Sequence, residues 1–114
     1  MTALVAQWLR SLPGLENLTE EWIEDLPGCA GLFLESRQTV EVTVDIMGNT
    51  IRRQRFRWKL VTNQGQPPRI NVESAPTLGL MQRIGLGGDR LARLDHNQLP
   101  RWETDLSIEF TVKE

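Results

Sequence analysis

An α+β fold, with a helix first and then a mainly antiparallel sheet of four or five strands, is predicted by three observations in this 114-residue sequence. The opening stretch places apolar residues at helical spacing and stops at Pro-Gly; beyond Gly31 the apolar period falls to two; the closing segment keeps that period to its end. A chain of this length is expected to fold as a single domain, residues 1–114, burying roughly two-thirds of its unfolded surface.

The helix comes from the first of two matching phrases, Leu4 to Gly14 and Leu18 to Gly28, each reading LxxxW, an aliphatic residue, then xxLPG. Leu4, Trp8 and Leu12 lie at i, i+4 and i+8, which keeps them on one stripe. Thr2 is the expected cap, and Pro13-Gly14 ends the helix near residues 3 to 12, since proline lacks a backbone donor and glycine accepts left-handed geometry. The second phrase predicts a short second helix through Leu18, Trp22 and Leu26, capped by Asn17 or Thr19, with Glu20 and Glu21 in its first turn. Two turns are unstable alone, so this helix must pack. Two copies cannot build a solenoid, and the repeat therefore reads as one packing solution used twice, with Trp8 and Trp22 seated on the face carrying Val42, Phe56 and Ile108.

A half-buried strand follows, with Val40, Val42, Val44 and Ile46 on one face and Glu41, Thr43 and Asp45 on the other. After Gly48-Asn49 the alternation resumes, setting Phe56, Trp58 and Leu60 against Arg53, Arg55, Arg57 and Lys59, so the pair reads as a long hairpin. A two-residue loop would place arginines opposite valines. The expected register is instead bulged, pairing Val42 with Phe56, Val40 with Trp58, Glu41 with Arg57 and Asp45 with Arg53.

Residues 63–76 carry three prolines and little periodicity, the pattern of a mobile loop that orders on assembly. "TLGLMQRIGLGG" has helical spacing at Leu78, Met81 and Ile84, but Gly79 and Gly85 each cost a helix about 1 kcal/mol, so an extended segment is preferred. The last strand sets Trp102, Leu106, Ile108, Phe110 and Val112 against Glu103, Asp105, Ser107, Glu109 and Thr111. "DRLARLD" is its expected hairpin partner across "HNQLP".

Composition is that of an ordinary globular chain, 39% hydrophobic and 25% charged, with net charge -2 and pI near 5.5. Such a balance gives no general attraction to nucleic acid or to an anionic membrane. No apolar run is long enough to span a bilayer, and the start lacks a basic, apolar leader pattern, so a cytosolic protein is expected. One cysteine, Cys29, and one histidine, His96, supply neither an internal disulfide nor a zinc cluster.

No enzymatic constellation emerges. Cys29 stands between small residues and His96 in a turn, with no signature of a nucleophile and its base around either. "GLGGD" at Gly85 to Asp89 lacks both the GK[ST] of a phosphate loop and the GxGxxG of a dinucleotide site, and reads as a bend between two extended segments. The acidic residues are spread over strand faces, not paired at an apolar site. No metal or cofactor is expected. The basic run Arg52, Arg53, Arg55, Arg57 and Lys59 is the one candidate site: it can track phosphates, or it can be a charged face neutralised by Glu41, Asp45 or a neighbouring subunit. Strand alternation sends Phe56 and Trp58 to the opposite, buried face, which removes them as base-stacking platforms.

In order along the chain, "WLRSLPGLE", "VDIMGNTIRRQRFRWKLVTNQ", "APTLGLMQRIGLGGDRL" and "LPRWETDLSIEFTVK" together resemble the small tail-terminator proteins, also called minor capsid proteins, of long-tailed phages and prophages. The resemblance covers most of the chain as a series of weak motifs. It rests on a valine-rich strand, a Gly-Asn turn and a basic strand (Val40 to Leu60), on Ala75, Pro76, Leu78, Gly79, Gly87, Gly88, Arg90 and Leu91, and on the closing strand Trp102 to Val112. It implies a structural protein, commonly a ring of six subunits, that caps the tail tube, ends its polymerisation and presents a surface to the head connector. Its implied partners are itself, the tail-tube protein and the head-tail connector protein, with passing contact to DNA and no membrane. Its implied location is the host cytoplasm during assembly and then the virion tail. The basic residues 52–59 then become candidates for assembly or lumen contacts. A small nucleic-acid-binding or regulatory module using the same strand is the alternative, and a toxin or immunity-type domain a third.

Overall fold

A computed structural model describes residues 1–20, 30–63, 66–93 and 100–113. The architecture is α+β: one N-terminal helix, α1 (Thr2–Arg10), packs on a five-stranded mixed sheet. The strands are β1 (Leu18–Thr19), β2 (Ala30–Val44), β3 (Thr50–Asn63), β4 (Leu80–Arg93) and β5 (Arg101–Lys113), in the spatial order β1-β2-β3-β5-β4. β1 runs parallel to β2 and every other pairing is antiparallel.

The helix is rotated from the expected stripe. Val5, Ala6, Trp8 and Leu9 are buried, whereas Leu4 is 41% exposed, because Val5, Leu9 and Leu12 point at the sheet. Thr2 does not cap it. Met1 is the N-cap residue, without a side-chain bond, and the Thr2 hydroxyl instead accepts from the Trp58 indole N–H at 3.1 Å. After Arg10 the chain descends in turns through buried Leu12 and Leu15, with Gly14 at φ 86°. A second helix does not begin at Leu18, since Leu18 and Thr19 pair with Ala30 and Gly31 as a strand. Trp22 and Leu26 lie outside the described residues.

One face of the sheet, here the inner face, carries the core. Leu32 opposes Leu60, Leu34 opposes Trp58, and Phe56 and Trp58 oppose Ile108 and Leu106. Phe56 stacks at 5.6 Å on Trp58 and at 5.7 Å on Phe110. The expected alternation of the last strand is present from Thr104 to Phe110, where Leu106, Ile108 and Phe110 are buried and Thr104 joins them. Residues 66–76, within the expected mobile connection, lie against the same core through Ile70 and Ala75, as does Leu78 just beyond them. The connection contains a 3-10 turn (Val72–Ser74) capped by Asn71, and Ser74 Oγ accepts from the Trp8 indole at 2.8 Å.

The segment from Leu80 is extended, as preferred, and it pairs antiparallel with β5. Gly85 to Asp89 does not bend between two strands; it is a bulge inside one 14-residue strand. Residues 94–99 lie outside the described residues.

The hairpin register differs from the bulged one expected. Val44 pairs with Thr50, Val42 with Arg52 and Glu41 with Arg53, closing a five-residue turn over residues 45–49. Asp45 dictates that turn. Its carboxylate accepts from the backbone N–H groups of Met47 and Asn49, both at 2.9 Å, while Gly48 takes φ 81°. Bulges at Glu35 and Val40 then shift the partners, so that Phe56 faces Arg37 and Trp58 faces Leu34.

This register changes which valines are buried. At ~3.3 Å per residue the 15 residues of β2 span about 50 Å, whereas the nine residues of α1 cover about 14 Å. The molecule measures 60 × 22 × 21 Å, and its 16.2 Å radius of gyration exceeds the ~13 Å of a compact chain this long. Helix and loop cover one end and the middle of the inner face. The turn end stays bare, with Val42 at 52% and Val44 at 67% exposure, so the expectation of a half-buried strand there is overturned.

Candidate functional site

Strand alternation sends Arg53, Arg55, Arg57 and Lys59 to the outer face, which α1 does not touch, while Arg52 projects with Val42 on the inner side. The predicted basic stripe is therefore real in position, apart from Arg52. It is not a free cationic track. Arg53 lies 3.2 Å from Glu41 and 3.3 Å from Glu109, and Arg55 donates to Glu109 Oε2 from Nη2 at 2.9 Å and from Nε at 3.0 Å. Lys59 sits 3.2 Å from Glu35 and 3.8 Å from Glu103, and Glu103 also accepts from Arg90. Arg57, opposite Ser36 and Ser107, has no ion pair among the described residues.

The acids respond to these neighbours. The hydrogen bond from Arg55, helped by the charges of Arg55, Arg53 and Arg83, holds the Glu109 carboxyl below its ordinary range. Arg90 does the same for Glu103, with Lys59 and Arg101 adding to it. At the turn, the Asn49 backbone N–H lowers Asp45 most, followed by the Asn49 side chain, Lys113 at 3.2 Å and the Met47 N–H. Asp45 thus serves the turn and Lys113, not Arg53 as the expected register required.

Two shallow depressions interrupt the outer face. One, about 260 Å³, lies over Ile51, Arg53, Arg83 and Glu109 with Met81 at its rim. The other, about 370 Å³, lies beside Arg57, Gly85, Gly87 and Asp105. Each mixes charges of both signs, so neither concentrates a field for an anion. Among the described residues no three metal-ligand side chains converge, and no helix is long and apolar enough to cross a membrane. Cys29 and His96 lie outside the described residues.

The bare end of the sheet was missed by sequence reasoning. Four large apolar residues stand exposed there, Val42 and Val44 on the inner face and Ile46 and Met47 in the turn at 102% and 79% exposure, while across the sheet on β4 Leu80, opposite Thr111, and Met81 are exposed on the outer face at 64% and 79%. Met81 has φ 51°, a left-handed conformation uncommon for a side chain of this kind, at the bulge where β4 begins. The available signal was length: strands of 14 and 15 residues outrun a helix of nine.

Comparison with protein-family models, with curated proteins and with solved structures finds no match to this chain.

Proposed function

We propose that this chain is a structural assembly protein of a long-tailed phage or prophage, which caps the tail tube, ends its polymerisation and joins tail to head connector as an oligomeric ring. The observation that carries the reading is the bare turn end of the hairpin, where Val42, Val44, Ile46 and Met47 stand in water. Exposed apolar residues of this kind at one end of an elongated molecule fit a contact with another protein. The outer face supports the same reading, since charges already matched within the chain suit polar contacts between subunits better than phosphate tracking. Arg57, the unmatched member of the stripe, is the residue left to meet an acidic neighbour or passing DNA. The sequence resemblance supplies the identity of the assembly. On this reading the protein works in the host cytoplasm during assembly and then in the virion tail.

The test is the mass of the chain in solution with and without tail-tube subunits. The wild type is expected to enter a larger complex with the tube, and Ile46→Asp with Met47→Asp to abolish it while changing the unfolding free energy by no more than the scatter typical of surface substitutions, about 0.5 kcal/mol. A strict monomer under both conditions would sink the reading.

A further inference from the structure

Among the described residues β1 covers only Ala30 and Gly31 of β2, and no strand lies outside β4. The sheet therefore ends in two long open ladders, Leu32–Val44 and Leu80–Arg93, and unpaired ladders are templates for another strand. Their directions are related by three successive antiparallel pairings, β2 to β3, β3 to β5 and β5 to β4, so β2 and β4 run opposite ways. Two copies standing side by side in the same orientation bring β4 of one against β2 of the next as an antiparallel pair.

The two edges differ in charge where they would meet. On the outer face β2 shows Glu35 and Glu41, and β4 shows Arg83 and Arg90. Arg83 makes no ion pair among the described residues. Their irregularities also match: between Glu41 and Ser36 β2 carries one extra residue at Val40, and between Gly85 and Arg90 β4 carries one extra residue after Leu86. Five steps then oppose five.

We infer that this protein joins to a second copy of itself by antiparallel pairing of the β4 edge with the β2 edge, Ile84 opposite Val42 and Asp89 opposite Arg37. In that register the inner face gains an aliphatic pair and an Asp-Arg pair. On the outer face Arg90 falls opposite Ser36 and next to Glu35, and Arg83 lies diagonal to Glu41. The contact is heterologous, each copy offering one edge and keeping the other, so it propagates around a ring or along a filament. The inference deepens the assembly reading by naming the surface through which copies join.

Cysteine pairs test it in a Cys29→Ser background. Within one chain positions 42 and 84 are three strand spacings apart and four residues offset along the sheet, more than about 14 Å and too far for a disulfide, so any bond between them joins two copies. Val42→Cys with Ile84→Cys, and separately Arg37→Cys with Asp89→Cys, are expected to give a ladder of disulfide-linked multimers from concentrated protein under mild oxidation. Each single variant should stop at dimer or stay monomeric. Both members of the second pair are exposed, so it reports even where replacing half-buried Ile84 disturbs folding. No ladder from either pair beyond the single variants overturns the inference. If the wild type forms multimers by light scattering while neither pair links, edge pairing fails and the assembly reading stands. If the pairs link but the chain never enters a complex with the tube, edge pairing stands and the terminator reading fails.

Discussion

At Leu32 and Leu60 the hairpin strands β2 and β3 press two leucines into a core, 1% and 0% exposed, while at Val44 and Thr50 the same two strands hold a valine in water. Local sequence separates the two regions only in part: residues 30–34 read AGLFL, a continuous apolar run, whereas 40–46 alternate apolar and polar residues. The difference is what lies above them: α1 and residues 66–79 cover one and nothing among the described residues covers the other. An apolar face is a request for a partner, and this chain answers it at one end only.

The largest expected break in that contrast is Trp58→Ala. It removes a fully buried ring stacked on Phe56 and bonded to Thr2, and should cost about 3–5 kcal/mol in denaturant unfolding. Next is Gly79→Ala, at the junction where the covering loop meets β4. A Cβ there would lie 2.6 Å from the Thr111 carbonyl oxygen and 2.9 Å from the Phe110 ring, so a loss of about 1–3 kcal/mol is expected, with the loop displaced from the core. Both should leave the turn at Asp45 to Asn49 intact, as amide exchange at Asn49 would report in the folded fraction.

A smaller effect runs through both regions along the charged face. Asp45 at the bare end, Glu109 in the middle and Glu103 near the covered end all titrate below their ordinary values in the folded chain. Protonation therefore favours the unfolded state: the contribution is complete above the unfolded values and is lost as pH falls through the lowered folded ones. A thermal midpoint that is flat above about pH 5 and declines below it is expected. Glu109→Gln should flatten that decline, since its carboxylate holds both Arg53 and Arg55. A midpoint rising on acidification would contradict the assigned network.

The candidate stripe was legible in part. Period-two alternation put Arg53, Arg55, Arg57 and Lys59 on one face and Phe56 and Trp58 on the other, because strand geometry leaves no other choice. The partners of those charges were not legible, since Glu109 and Glu103 come from β5, some 50 residues away in sequence, and the β2 acids depend on register. Register escaped because Asp45 builds a five-residue turn where Gly48-Asn49 suggested a shorter one, and because two bulges on β2 move every partner beyond them.

By itself, then, the sequence determined the classes of element: a helix ahead of Pro13-Gly14, the alternating strands, the extended choice for Leu80 onward and the buried side of Leu106 to Phe110. These follow from local periodicity and backbone preference, which act within a few residues. Only the tertiary structure decided that β5 inserts between β3 and β4, that Leu18 joins the sheet, and that Val42 and Val44 go uncovered. Those outcomes depend on how far a nine-residue helix and one loop reach across strands about 50 Å long, a competition of lengths that no local window contains.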